Sequence, residues 1–70
     1  MSESIEIILN GKPRQVNAGM TLTGLIEFLS LNPTSIVIEH NEEVADKATL
    51  DSVTLQSNDK VEILQFVGGG

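Results

Sequence analysis

Seventy residues with ten Asp and Glu against four Lys and Arg make one acidic chain of formal net charge −6. A chain this short buries only about 60% of the surface its unfolded form exposes, which leaves room for one domain and a thin core. The acidity argues against nucleic acid, whose phosphates repel such a surface. The lack of cysteine excludes disulfides, thiolate metal sites and cysteine nucleophiles.

No apolar run approaches the roughly 20 residues of a membrane helix. No charged n-region precedes an apolar h-region either, so no secretory signal is expected. These features point to a reducing, cytoplasmic setting with no membrane partner.

Along the chain, Ile5 to Leu9 alternates with the period of a strand. Asn10-Gly11 offers the two left-handed residues that a tight type I′ hairpin needs. Lys12 to Asn17 is the return strand, and Pro13, which cannot donate a ladder hydrogen bond, places it at an edge. Thr21 is a candidate helix N-cap. Leu22, Leu25, Ile26 and Leu29 follow at helical spacing and form one apolar stripe. Gly24 weakens that helix by about 1 kcal/mol relative to alanine, and Asn32-Pro33 is expected to stop it.

Ser35 to Glu39 reads as a third strand, and Asn41 to Lys47 as a turn or short strand around Val44 and Ala45. Asp51 to Gln56 reads as a further β-rich piece, Ser57 to Lys60 as a turn, and Val61 to Val67 as the last strand. The order β-β-α-β, a short element and β predicts an α+β fold of the β-grasp kind. A mixed sheet of four to five strands packs on one main helix, with the first and last strands parallel neighbours. Residues 1–67 would form the domain and 68–70 a flexible C-terminal glycine tail.

Catalytic chemistry is sparse. His40 has no second histidine with which to share a metal and is expected as an exposed strand-end residue. The serines have no evident base, and Glu42 and Glu43 point to opposite faces if extended. No catalytic residue and no metal ligand is assigned, so a self-contained enzyme is not expected. Glu39, Glu42, Glu43 and Asp46, relieved by Lys47, read either as a solvated loop or as a docking surface for a basic partner.

If Ile5, Ile7 and Leu9 face the helix, then Ile8 faces away. By the same alternation Leu64 and Phe66 share the open face with Glu62, and Val37 shares it with Glu39. Ile8, Val37, Leu64 and Phe66 are therefore the candidate partner-binding face, set against the ordinary occurrence of scattered surface apolar groups. The glycines that follow have no Cβ and could thread a channel too narrow for side chains. In that reading Gly68 and Gly69 thread into a partner's active site, and the α-carboxylate of Gly70 is the reactive group. Taken alone, the same tail reads equally as a disordered end or a cloning scar.

Five stretches together carry a resemblance over the whole chain. They are Asn10-Gly11, Gly19-x-Thr21-Leu22-x-x-Leu25-Ile26, Asn41-x-x-Val44, Asp59-x-Val61-Glu62-Ile63 and Val67-Gly68-Gly69-Gly70. In that order they resemble the ThiS/MoaD family of ubiquitin-like β-grasp sulfur carriers, and the Val-Gly-Gly-Gly end resembles its thiamin branch most. The chain departs from the family pattern at Val44-Ala45-Asp46, where Val-Pro-Arg is common, and at Asn58-Asp59, where Gly-Asp is usual. Asparagine also tolerates positive φ, so the second departure is mild.

The resemblance implies a sulfur carrier for the thiazole of thiamin. Gly70 would be adenylated by a ThiF-type adenylyltransferase that consumes ATP. Sulfur would come from a cysteine desulfurase or another persulfide or sulfide source, and the thiocarboxylate would serve thiazole synthase, ThiG. The carrier itself would bind no cofactor. The alternatives are a MoaD-like small subunit of molybdopterin synthase and a non-catalytic β-grasp interaction module.

Overall fold

The computed structural model describes residues 3–66. Strand β1 (Ser4–Leu9) turns at Asn10-Gly11 into β2 (Lys12–Asn17). Both turn residues are left-handed, with φ of 50° and 81°, the backbone a two-residue type I′ hairpin requires. Helix α1 (Leu22–Phe28) follows, then β3 (Ile36–His40), β4 (Glu43–Val44) and β5 (Lys60–Gln65). One five-stranded sheet has the order β2-β1-β5-β3-β4. The β1–β5 pair is parallel and the other three pairs are antiparallel. This is the expected β-grasp arrangement, with β2 at an edge.

Helix α1 forms because its sequence repeats apolar residues every three to four positions and because Thr21 caps it. The Thr21 hydroxyl accepts from the backbone N–H of Gly24 at 3.1 Å, satisfying one of the orphan donors of the first turn. Leu22, Leu25 and Ile26 are buried against Ile7, Val16, Ile36, Ile38 and Val61 of the sheet. Leu50 and Leu55 close the core from the long connection before β5.

β1 starts one residue earlier than expected, at Ser4, and β5 runs Lys60–Gln65 where Val61 to Val67 was expected; three further differences have physical causes. First, the helix ends at Phe28, before Asn32-Pro33 is reached. Ser30 turns left-handed at φ 59°. The Leu31 N–H then bonds the Ile26 carbonyl and the Ser30 N–H bonds the Glu27 carbonyl, both at 3.0 Å. That is a Schellman closure with serine where glycine is the usual signal. Asn32-Pro33 instead opens a short 3-10 turn, Pro33–Ser35.

Second, β3 runs one residue later than expected. Third, Asp51 to Gln56 is not a sheet strand. Lys47–Ser52 is a 3-10 turn with Asp46 as its cap. The next residues make only an isolated bridge, Thr21 to Thr54. The Leu22 N–H donates to the Val53 carbonyl and the Leu55 N–H to the Met20 carbonyl. Leu55 is buried and Val53 half-buried, and the segment seals the helix start because β5 and β4 already occupy the flanks of β3.

Among the described residues no helix is long and apolar enough to cross a membrane. The expectations for 68–70, and the placement of Val67 in the last strand, lie outside the described residues.

Candidate functional site

The side of the sheet away from α1 is open. Its composition changes along β5, because alternate residues of that strand face outward and they differ in chemistry: Lys60, Glu62 and Leu64, continued by Phe66. Leu64 is 60% exposed and Phe66 58%. Leu64 pairs in register with Val37, which is half-buried. Ile8 pairs with Lys60, four residues down the strand from Leu64 and so roughly 13 Å away at the usual rise per residue. The fold therefore brings Val37, Leu64 and Phe66 together and sets Ile8 apart, among Lys60 and Glu62. Gly68, Gly69 and Gly70 lie outside the described residues, and β5 leads toward them.

The lower half of the open face is charged. Glu39 and Glu62 are direct register partners, an arrangement of like charges that costs stability. With Glu42 and Lys60 they line a depression of about 280 Å³. Of the four acidic residues singled out in the sequence, only Glu39 and Glu42 share this face. Asp46 is occupied elsewhere, its carboxylate accepting from the Ala48 N–H at 2.9 Å, and Glu43 lies in β4.

Asparagine and aspartate side chains anchor the lower end of β5. Asp59, just before the strand, is 9% exposed. One of its oxygens, Oδ2, lies 2.7 Å from His40 Nε2 and accepts the Gln56 N–H at 2.9 Å; the other, Oδ1, accepts Asn41 Nδ2 at 3.2 Å. Burial alone would raise this carboxyl. The three donors outweigh burial and hold it below the usual carboxylate range. His40 is thus not the exposed strand-end residue expected from sequence, because its ring is drawn onto a carboxylate nineteen positions away.

Asn41 also bridges to β5, its Oδ1 accepting the Lys60 N–H at 2.9 Å. On the other flank Asn10 Oδ1 accepts the Ile63 N–H at 2.8 Å, standing in for the backbone carbonyl that β1 would present had it continued. Asn10 and Asn41 were visible as turn residues. Their second role, as mimics of strand backbone, had no sequence signal, since it depends on which strand lies alongside.

Among the described residues no group of three or more His, Cys, Asp or Glu is placed to hold a metal ion. The features that remain are an apolar patch, a charged depression beside it, and a strand leading to the glycine end.

Comparison with known proteins places these features in a lineage. The ThiS family model matches residues 7–70. A thiazole synthase of Magnetococcus marinus is 39% identical over 66 residues, which make up 94% of this chain but 20% of that protein. The chain thus spans about a fifth of the length of the curated thiazole synthases it matches. The sulfur carrier protein ThiS of Bacillus subtilis is 34% identical over 50 residues, covering 71% of this chain and 76% of its own. Among solved structures, the thiamine biosynthesis protein ThiS of Geobacter metallireducens superposes with a TM-score of 0.81 at 32% identity, covering 94% of this chain and all of that one. With nearly its whole length matched in sequence and in fold, the chain belongs to the ThiS family.

Proposed function

We propose that this protein is a sulfur carrier of thiamin biosynthesis whose reactive group is the α-carboxylate of Gly70. The observation that carries this reading is the family match, which runs through residue 70 and so takes in Val67-Gly68-Gly69-Gly70. A carboxylate is a poor acyl donor and must first be activated. One of its oxygens attacks the α-phosphorus of ATP and pyrophosphate leaves, giving an acyl-adenylate. Sulfide then attacks the acyl carbon and AMP leaves, giving the thiocarboxylate. If a persulfide is the nucleophile, a thiol must afterwards cleave the resulting S–S bond. None of these steps needs a side chain of the carrier, in keeping with its sparse catalytic inventory.

In this reading a ThiF-type adenylyltransferase supplies the activation, and a cysteine desulfurase or similar persulfide source supplies the sulfur. Thiazole synthase accepts it, all in the cytoplasm. The relative from Magnetococcus marinus supports that acceptor, since a sequence related to this chain forms part of a protein named thiazole synthase. Val37, Leu64 and Phe66 would be gripped by the partners, and Gly68 and Gly69 would enter their channels because no side chain obstructs them.

Intact mass spectrometry tests the reading. Incubation with the adenylyltransferase, ATP and a sulfur source should add the mass of one sulfur in place of one oxygen. Deletion of Gly70 should abolish the gain, and a truncated chain that still gained it would overturn the assignment. Gly69→Val should block activation while thermal stability is retained.

A further inference from the structure

Strand β5 is paired unequally on its two sides. Along β3 it is paired from Val61 to Gln65, and the Phe66 N–H continues the ladder by donating to the Ser35 carbonyl at 2.8 Å. Along β1 it is paired only at Lys60 and Val61, because the hairpin turn carries β1 away. Asn10 then supplies one last acceptor, to the Ile63 N–H.

In an antiparallel ladder the backbone groups of alternate residues point to opposite sides. Since Phe66 donates toward β3, Gln65 directs its own N–H and carbonyl the other way. Among the described residues nothing pairs with them there.

An open strand edge is a template for another strand, and proteins usually blunt such edges with charge, proline or brevity. The two outer edges of this sheet are treated in that way. β2 carries Lys12, Pro13 and Arg14, and β4 is two residues long. The half-edge at Leu64-Gln65-Phe66 has no charge and no proline. Its flanking side chains, Leu64 and Phe66, are more than half exposed.

Immediately beyond comes Val67-Gly68-Gly69-Gly70. Glycine offers no side chain to grip, so a protein that holds this end must do so through its backbone groups. A partner strand laid along Gln65 would begin that hold before the glycines are reached.

The geometry points to β-strand addition at Gln65: the free side of β5 receives an extended, uncharged segment of the adenylating enzyme, which pairs with the Gln65 N–H and carbonyl. This deepens the carrier reading and rests on it. Recognition would then use two perpendicular surfaces, side chains of Leu64 and Phe66 across the sheet face and main-chain groups in the sheet plane.

The experiment measures affinity of the full chain for the ThiF-type adenylyltransferase by calorimetry, together with amide hydrogen exchange of each free and bound protein. Q65P removes the outward N–H and no internal hydrogen bond, and it should weaken binding by about tenfold or more. Q65A changes the side chain and keeps the N–H, and it should bind within about twofold of the parent.

Because proline can also strain the strand, exchange in the unmodified protein gives a second reading. The Gln65 amide should exchange fast in the free protein, beside protected Leu64 and Phe66, and become protected in the complex. Equal binding by Q65P, an equal loss with Q65A, or an unprotected Gln65 amide in the complex would each overturn the proposal. So would concentration-dependent protection in the free carrier, which would assign the edge to a second copy. If the unmodified protein gains sulfur mass and these results still fail, strand addition alone is refuted; if it gains none, the carrier reading fails first.

Discussion

The two halves of β5 are built on opposite terms. Lys60 and Val61 lie between β1 and β3; Asn41 accepts the Lys60 N–H at 2.9 Å and is itself held by Asp59 at 3.2 Å, and Asn10 accepts the N–H of Ile63 at 2.8 Å. Val61 there is fully buried. Leu64 to Phe66 is held by β3 alone and shows two large apolar side chains to solvent. A strand that were merely structural would gain stability by pairing along its whole length. The asymmetry leaves one half anchored on both sides and the other exposed, and the glycine end follows the exposed half in sequence.

The sharpest way to break this contrast is at the anchor. Asp59→Ala would leave the Gln56 N–H, His40 and Asn41 without their shared acceptor and should cost about 3 kcal/mol, read from the urea midpoint at neutral pH. The same carboxylate gives a pH test. Its pKa is lowered on folding, so its contribution is present above the ordinary carboxylate range and is lost as pH falls through the folded-state value. Acidification through the carboxylate range should therefore narrow the stability gap between the parent and Asp59→Asn. A gap that widens within that range would contradict the network.

A smaller effect is expected on the other flank. Asn10→Gly keeps the left-handed turn but removes the acceptor of the Ile63 N–H, at a cost of about 1 kcal/mol, with faster exchange of that amide. At the far end of β3, Glu42 holds a φ of 74°. Glu42→Gly should relieve that strain and, after glycine's own entropic cost, stabilise by roughly 0.5 kcal/mol.

The smallest change in stability is expected on the presented half. Leu64→Ser and Phe66→Asp should each shift the urea midpoint by no more than about 0.5 kcal/mol, because half or more of each side chain is already in water. Phe66→Asp should nevertheless weaken binding to the adenylyltransferase. A large loss of stability in either variant would mean that the open face belongs to the core.

Much of the architecture was legible because it is local. Asn10-Gly11 announced the hairpin, Pro13 the edge, Thr21 the helix cap, and the alternation in β1 and β5 the two faces of the sheet. The helix end was misplaced because Ser30 performs the turn that glycine normally advertises. Asp51 to Gln56 was misread as β-rich because the apolar alternation of Val53 and Leu55 says nothing of which segment lies alongside. His40 was misread because its acceptor lies nineteen residues on. At the candidate site, the exposure of Leu64 and Phe66 followed from parity alone, whereas the separation of Ile8 from them depended on the β1–β5 register.

By itself the sequence determined the period of each element, the left-handed turns and the acidic, cysteine-free chemistry, since these depend on residues within a few positions of one another. Only the tertiary structure decided that β1 leaves β5 after two paired residues, that Asp59 gathers His40, Asn41 and Gln56, and that Gln65 faces an open edge. Each of these depends on which distant segment lies alongside, and that is set by how the helix, the sheet and the connection before β5 enclose a single small core.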